Sequence, residues 1–143
     1  MKKIIKIGII GLGVGLKHWE TYEKNPSCEV VAIADFDKKK LEKYKKKFPK
    51  IQFVTDANKV LKNKSIDLIS IASYDNYHCN HIIKSIKNDK HIFIEKPLCL
   101  NYSEYSKIKK ALLSKPKIKI SSNLVLRNSP QFLKLKKKIN EKN

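Results

Sequence analysis

Short apolar runs alternate along the chain with longer segments in which apolar residues recur every three or four positions. The short runs predict buried strands, and the longer segments predict amphipathic helices. The predicted strands are residues 4–10, 29–34, 51–54, 66–72, 91–94 and 118–120, the last with an alternative end at Leu126. The predicted helices are residues 14–24, 37–48, 55–62, 76–87 and 103–113, and a final one that starts near Ser129 and Pro130 and runs to the end of the chain.

This alternation of strands and helices predicts the fold class. Helices that join parallel strands by right-handed crossovers cover both faces of the sheet. We therefore predict an α/β fold with a doubly wound parallel sheet of Rossmann type, in three α/β/α layers. Ligands bind such sheets at the carboxyl ends of the strands. The unusual residues of this sequence follow the first, second, fourth and fifth predicted strands.

Composition allows one domain with a packed core, because the chain has 143 residues and 41% of them are hydrophobic. No apolar run is long enough to cross a membrane. The basic and apolar start is similar to a secretion signal, but Lys6 interrupts it and no small-residue cleavage site follows. The three cysteines lack CxxC spacing, which is typical of reduced thiols. We expect a cytoplasmic protein with no membrane partner.

The formal net charge of +19 would ordinarily indicate a nucleic-acid partner. However, Arg127 is the one arginine among 32 basic residues, and phosphate and base recognition favours the planar fork of arginine. The lysines are spread along the chain and fill the polar faces of helices, as in residues 37–48. Charge-driven binding of nucleic acid is therefore the weaker alternative, and we expect no such partner.

The glycine-rich segment after the first strand is a candidate phosphate cradle. Gly11 permits a sharp turn from strand to helix, and Gly13 lets a pyrophosphate approach the backbone, where free amides and the helix dipole favour negative charge. The usual third glycine would stand at Leu16, and Gly15 lies one position before it. That glycine ordinarily serves packing of the helix on the strand. The alternative interpretation is a tight turn without a ligand.

Asp35 ends the second predicted strand and makes the dinucleotide interpretation stronger. A carboxylate at this place can accept hydrogen bonds from the ribose hydroxyls, and it repels a 2′-phosphate. This favours NAD over NADP as the cofactor. Asp35 could instead be the N-cap of the following helix, but Asp37 can fill that role and leave Asp35 free.

Glu95-Lys96-Pro97 follows the fifth predicted strand. Proline keeps Lys96 extended and projects it from the strand end. A lysine between cofactor and substrate can give a proton or a hydrogen bond to a hydroxyl or carbonyl oxygen, and Glu95 could hold it in place. The alternative interpretation is that Lys96 is a surface lysine without a functional role.

A metal site is not expected. His78 and His81 stand three apart on a predicted helix with Cys79 between them, a spacing that two metal ligands could use. No further ligands occur at a suitable spacing. Cys99 has no paired base in the sequence around it, so a nucleophilic role is not predicted either.

Four segments carry a family resemblance: Gly11-Leu-Gly13-Val14-Gly15-x-x-His18, Val-Ala-Ile-Ala-Asp35, Ile-Ala72-Ser73-Tyr-Asp75-Asn76-Tyr-His78 and Lys90-His-Ile-Phe-Ile-Glu95-Lys96-Pro97-Leu98. In this order they resemble the amino-terminal domain of the Gfo/Idh/MocA oxidoreductases, NAD(P)-dependent enzymes that mostly act on hydroxyls of sugars, inositols and related compounds. The resemblance implies phosphate binding by Gly11, Leu12, Gly13, Val14 and Gly15, and ribose binding by Asp35. It implies contacts near the nicotinamide from Ser73, Asn76, His78 and Glu95, and cofactor binding also by Ala72 and Lys96. Lys96 would be the catalytic or substrate-orienting lysine.

The resemblance also divides the chain. Residues 1–126 would be the dinucleotide-binding domain, and residues 127–143 would begin a linker helix toward a second α/β domain that this sequence does not contain. In the family that domain supplies much of the substrate pocket and of the oligomer interface. Two interpretations follow. One is an oxidoreductase acting on a sugar-like substrate, completed by a separate second-domain chain or a homo-oligomer. The other is a nucleotide-binding module without catalysis of its own.

Overall fold

The computed structural model describes residues 3–141. Six parallel strands form one sheet in the order β3-β2-β1-β4-β5-β6. The strands are β1 (Ile5–Ile10), β2 (Cys28–Ala34), β3 (Gln52–Val54), β4 (Leu68–Ile71), β5 (His91–Ile94) and β6 (Ile120–Ser122). The helices are α1 (Gly15–Glu23), α2 (Lys38–Lys45), α3 (Ala57–Leu61), α4 (Asp75–Lys87), α5 (Tyr102–Leu113) and α6 (Pro130–Asn140), with a 3-10 helix over Val125–Asn128.

Two apolar clusters cover the two faces of this sheet, as the predicted α/β/α layers require. One cluster joins Ile9 and Ile33 of the strands to Trp19 of α1 and Leu41 of α2. The other joins the strands to α3, α4 and α5, with Ile69, Ile71, Ile82, Ile86 and Ile108 at its centre. The strands are buried on both faces, which explains why they read as continuous apolar runs in the sequence. The predicted fold class is confirmed.

Two element boundaries differ from the prediction by three residues or more. The sixth strand ends at Ser122, and the alternative end at Leu126 is wrong because the chain turns into the 3-10 helix there. Helix α2 ends at Lys45, and Phe48 lies in the following turn, with its ring 4.7 Å from that of Trp19. Apolar spacing continued past the helix end because Phe48 still packs on the core. The part of the final helix predicted for residues 142–143 lies outside the described residues.

The topology fixes where a ligand can bind. The chain leaves β1 in opposite directions to build the two halves of the sheet, so a crevice opens where β1 and β4 lie side by side. The segments that follow β1, β2, β4 and β5 all reach this edge, and they contain the residues singled out from the sequence. None of the helices in residues 3–141 has the length and apolarity that crossing a bilayer requires.

Candidate functional site

A cavity of about 600 Å³ opens at the carboxyl ends of β1, β2 and β4. Six of the predicted cofactor-binding residues line it: Gly11, Gly13, Val14, Asp35, Ala72 and Ser73. The side chains of the other predicted residues do not line it: Leu12, Gly15, Asn76, His78, Glu95 and Lys96. The volume is within the range of cavities that hold small-molecule ligands and cofactors.

The three glycines of the loop have different structural roles. Gly11 has φ +94°, and a Cβ there would lie 2.3 Å from the carbonyl oxygen of Ala72, so another residue would be both strained and blocked. Gly13 faces open space, the place where a ligand can approach the backbone. Gly15 is buried, and a Cβ there would lie 3.0 Å from Cγ2 of Ile9. Gly15 therefore provides the close packing of helix on strand expected of the third glycine, despite its shifted position.

The backbone of this loop presents unpaired donors to the cavity. Among the described residues, no acceptor is within hydrogen-bond distance of the amide N–H of Gly13, Val14 or Gly15. These amides lie at the N-terminus of α1, where the helix dipole adds a partial positive charge. Free N–H groups and a helix N-terminus together favour an anion such as a pyrophosphate.

The Asp35 carboxylate is buried beside this loop, with 6% of the residue exposed. Its two oxygens accept hydrogen bonds from the backbone N–H of Leu12, at 2.6 Å, and of Asp37, at 2.8 Å. Asp37 caps α2 as predicted, since its side chain accepts from the amides of Lys39 and Lys40. Asp35 is not free, which corrects the prediction. Each carboxylate oxygen nevertheless has a second lone pair that a ribose hydroxyl could use.

The amide of Leu12, predicted to meet a phosphate, is the donor to Asp35, and the Leu12 side chain belongs to the core. This bond ties the end of β2 to the glycine loop. The two halves of the predicted dinucleotide motif are therefore joined directly.

Two exposed aromatic rings stack on one another at the cavity. Phe36 follows Asp35, Tyr74 follows Ser73, and their ring centroids are 5.8 Å apart at an interplanar angle of 26°. They are 69% and 66% exposed. A large apolar ring left in solvent beside a cavity is a candidate ligand contact. Neither residue was predicted from the sequence, although their position shortly after strand ends was the available signal.

Helix α4 brings a second group of side chains to the cavity. Asp75, its first residue, lines the cavity, whereas the predicted Asn76 does not. Nδ1 of His81 is 3.0 Å from Oγ of Ser73, and the Tyr77 ring stacks on the imidazole of His81 at 5.9 Å. Burial, helped by the charges of Lys84 and His78, lowers the pKa of His81 to about 4. His81 is therefore neutral at pH 7.

His78 occupies a different position from the one predicted for a cofactor contact. It is fully buried, with 0% of the residue exposed. Its ring nitrogens face two backbone carbonyl oxygens, Nδ1 at 2.7 Å from that of Pro97 and Nε2 at 3.0 Å from that of Ser73. His78 thus joins the loop after β4 to the loop after β5 from behind the cavity.

Glu95 is held by a buried polar network. Oε1 of Glu95 accepts hydrogen bonds from Nε2 of His18, at 2.8 Å, and from Nδ2 of Asn123, at 2.7 Å. Burial alone would raise the pKa of Glu95, but these two bonds and the backbone amide of Lys96 outweigh it and lower that pKa. The carboxylate is therefore ionised at neutral pH. Lys96 is exposed, and its side chain has no hydrogen-bond partner within residues 3–141.

The network continues to the core through Ser70 on β4. Nδ1 of His18 is 2.9 Å from Oγ of Ser70, and the hydroxyl of Tyr22 is 3.3 Å from the same oxygen. Burial raises the pKa of Tyr22, so its phenol keeps its proton and donates. Ser70, Tyr22 and Asn123 were not found from the sequence, because neither spacing nor residue type links positions so far apart in the chain.

The histidines of α4 do not form a metal centre in the part of the chain that the structure describes, where no three His, Cys, Asp or Glu side chains are grouped closely enough to hold an ion. His78 and His81 lie on one helix, but their ring nitrogens face Ser73 and Pro97. The Cys79 thiol is buried and contacts the backbone of α5 instead.

Together these features define a class of protein. A glycine loop, a helix N-terminus and a strand-end carboxylate surround one cavity at the switch point of a doubly wound sheet, as in dinucleotide-binding domains. Residues 5–123 match the family described as "Oxidoreductase family, NAD-binding Rossmann fold", Gfo/Idh/MocA. The chain belongs to this family.

Relatives in this family include inositol dehydrogenases. The chain is 30% identical over 105 residues to the myo-inositol 2-dehydrogenase of Thermotoga maritima, covering 73% of this chain and 31% of that protein. It is 28% identical over 139 residues to the inositol 2-dehydrogenase/D-chiro-inositol 3-dehydrogenase of Lacticaseibacillus casei, covering 95% of this chain and 40% of that protein. The chain therefore spans two fifths or less of these relatives' length.

The fold is also that of a solved enzyme. The structure superposes on scyllo-inositol dehydrogenase from Lactobacillus casei, crystallised with NAD(H) and scyllo-inositol, with a TM-score of 0.88. The sequence identity is 23%, and the match covers 97% of this chain and 42% of that one.

Proposed function

We propose that this chain is the cofactor-binding part of an NAD-dependent oxidoreductase that interconverts a hydroxyl and a keto group on a sugar, an inositol or a related compound. The observation that carries the proposal is the cavity at the switch point. There, the amides of Gly13 and Val14, which donate no hydrogen bond within residues 3–141, share a cavity with the carboxylate of Asp35. An array of donors for a pyrophosphate next to an acceptor for a ribose fits a dinucleotide.

The residues around the cavity divide by their chemistry. Gly13 and Val14 would hold the pyrophosphate through their backbone amides, and Asp35 would accept from the adenosine ribose. The amide of Gly11, also predicted to meet a phosphate, donates to the carbonyl oxygen of Ala34 at 2.8 Å. Phe36, the aromatic residue next to Asp35, offers a stacking surface for the adenine. Lys40 also lines the cavity, and its positive charge would partly offset the negative charge of Asp35. We propose a preference for NAD that this lysine moderates.

Ala72 and Ser73 line the cavity beyond the glycine loop and would face the nicotinamide half of the cofactor. The bound nicotinamide would supply hydride chemistry. Lys96 is exposed at the end of β5 and would give or take the proton of the substrate oxygen. The substrate class, a cytoplasmic location and a second domain or second chain that completes the pocket are parts of the same proposal. They rest on the family and on the lengths of the relatives.

The cofactor site is tested by titrating the purified chain with NADH and, separately, with NADPH, followed by nicotinamide fluorescence. We expect saturable binding with NADH preferred. In Asp35→Ala the preference should disappear and NADH binding should weaken roughly tenfold or more, the loss typical of a hydrogen bond to a charged acceptor. The ratio of the two affinities is the readout, because damage to the loop alone would weaken both cofactors together.

The matched control is Asp67→Ala. Asp67 also accepts a backbone N–H, from Lys6 at 3.0 Å, but it lies at the amino end of β4, away from the cavity. NADH affinity should be unchanged in this variant. No binding of either cofactor by a folded wild-type chain would contradict the proposal. The lysine role needs turnover, so it is tested by Lys96→Ala in this chain joined to a second domain of the family, where unchanged turnover would exclude it.

A further inference from the structure

Lys96 has no side-chain partner among the described residues, yet its two neighbours in the chain are both held. Glu95 receives a hydrogen bond from His18, and the carbonyl oxygen of Pro97 receives one from His78. A lysine side chain has four rotatable bonds, and a free one samples many positions of its ammonium group. Whatever limits the position of this ammonium must therefore act through the backbone on either side.

The two histidines occupy equivalent places in the fold. His18 is the fourth residue of α1, the helix after β1, and His78 is the fourth residue of α4, the helix after β4. The two helices cover opposite faces of the sheet, since Trp19 of α1 and Ile82 of α4 belong to different apolar clusters. Both imidazoles are buried.

Each imidazole also bridges the same two strands. The second nitrogen of His18 is 2.9 Å from Oγ of Ser70, within β4, and the second nitrogen of His78 is 3.0 Å from the carbonyl oxygen of Ser73, just after β4. The first nitrogens contact Glu95 and Pro97, just after β5. Two bridges therefore connect β4 with the end of β5, one from each face of the sheet.

We infer that His18 and His78 are positioning residues for Lys96, which their two imidazole bridges fix by holding the residue before it and the residue after it. This inference rests on the proposed function, in which Lys96 is the residue that contacts the substrate. The bridges would fix the Cα of this lysine relative to Ser73 and the cavity. Catalytic groups need such fixed geometry, because small displacements cost large factors in rate.

The assignment of hydrogen-bond donors and acceptors supports the first bridge. A carboxylate only accepts, so Nε2 of His18 carries the proton donated to Glu95. Nδ1 of His18 can then accept from the hydroxyl of Ser70, which itself accepts from Tyr22. All four groups are satisfied by one neutral tautomer. In the second bridge both partners of His78 are carbonyl oxygens, which only accept. A neutral ring donates to one of them, and the shorter of the two contacts is that of Nδ1 with Pro97.

The test is amide hydrogen exchange by NMR on the complete 143-residue chain. We compare wild type with His18→Gln and His78→Gln, and with His91→Gln as the matched control. His91 lies at the other end of β5, where Nδ1 accepts from the amide of Lys119. In both bridge variants the amides of Glu95 and Lys96 should exchange about tenfold faster, the factor expected for loss of about one net hydrogen bond. The control should leave these two amides unchanged.

Two results would overturn the inference. One is unchanged exchange at Lys96 in folded bridge variants. The other is equal acceleration at all amides, since the histidines would then stabilise the whole fold and not this segment. If a variant does not fold, the ring ¹⁵N signals of the wild type decide. A proton on Nε2 of His18 supports the first bridge, and its absence removes that bridge.

NADH titration of the same samples separates this inference from the proposed function. Binding should persist in the bridge variants, because the glycine loop and Asp35 are not altered. If the wild type fails to bind NADH but the bridge variants still exchange the Lys96 amide faster, the proposed function is overturned and the bridges stand. If the wild type binds NADH but the bridge variants exchange the Lys96 amide at the wild-type rate, the bridges alone are overturned.

Discussion

His81 should make the chain less stable as the pH falls from neutral, and the size of the loss can be worked out from its surroundings. The residue is 8% exposed, and burial, with the charges of Lys84 and His78, lowers its pKa to about 4. In the unfolded chain the pKa is about 6.5. Between these values the unfolded state binds more protons than the folded state, so the free energy of unfolding decreases as the pH falls. The loss should reach about 1, 2 and 3 kcal/mol at pH 6, 5 and 4.

The measurement is urea unfolding of the wild type and of His81→Gln across this range. Glutamine can still hydrogen-bond Oγ of Ser73 but does not titrate. The difference between the two proteins therefore isolates His81 from groups that titrate equally in both. Glu95 and Asp67 have lowered pKa values and contribute mainly near and below pH 4, in both proteins alike. A difference that stays constant between pH 7 and pH 4 would refute the argument from burial.

Further predictions concern the walls of the cavity. Gly11→Ala should lower the free energy of unfolding by about 2–4 kcal/mol in urea titrations, because φ is +94° and the added carbon would meet a backbone carbonyl. Gly13→Ala should unfold at nearly the wild-type urea concentration, since nothing lies within 4 Å of the new Cβ, but it should bind NADH roughly tenfold more weakly because the methyl group fills the cradle. Phe36→Ala should weaken NADH binding about fivefold or more with unchanged stability, because its ring is exposed and, within residues 3–141, stacks on Tyr74 alone. Unchanged NADH affinity in both the Gly13 and Phe36 variants would exclude this cavity as the cofactor site.

The fold was predictable because its signals are local. Apolar runs that end in Gly11, in Asp35 and in Glu95 each mark a buried strand with its functional loop, and parallel strands bring those loops to one edge. The strand end with the largest error, at Leu126, falls where apolar residues are exposed in a 3-10 helix, so an apolar sequence there does not indicate burial. The packing role of Gly15 was not predicted, because the local pattern puts the third glycine at position 16. Its closeness to Ile9 depends on how a helix meets a strand, which no spacing rule contains.

The site was only half predictable, because its second half depends on hydrogen bonds between distant residues. Asn123 lies 28 positions from Glu95, and Ser70 lies 52 positions from His18. Serine and asparagine are common residues with many roles, so their types carry no signal of these contacts. The same reasoning explains His78, where the sequence indicated importance but not direction. A histidine shortly after a strand could point toward the cofactor or into the protein. Here its ring points into the protein, where Nδ1 lies 2.7 Å from the carbonyl oxygen of Pro97.

The division between lining residues and supporting residues also bears on how this domain could work. The cavity walls come from the segments after β1, β2, β3 and β4, whereas Lys96 lies after β5, where its neighbours Glu95 and Pro97 contact His18 and His78. Cofactor affinity and lysine position are thus set by different groups. Ser73 lines the cavity, and its backbone carbonyl oxygen lies 3.0 Å from Nε2 of His78, in the second bridge. A side-chain substitution at Ser73 leaves its carbonyl in place, so it should change cofactor affinity alone, as should one at Asp35, whereas a substitution at His18 should change the position of the lysine alone. NADH affinity and the exchange rate of the Lys96 amide, measured in the same variants, test that separation.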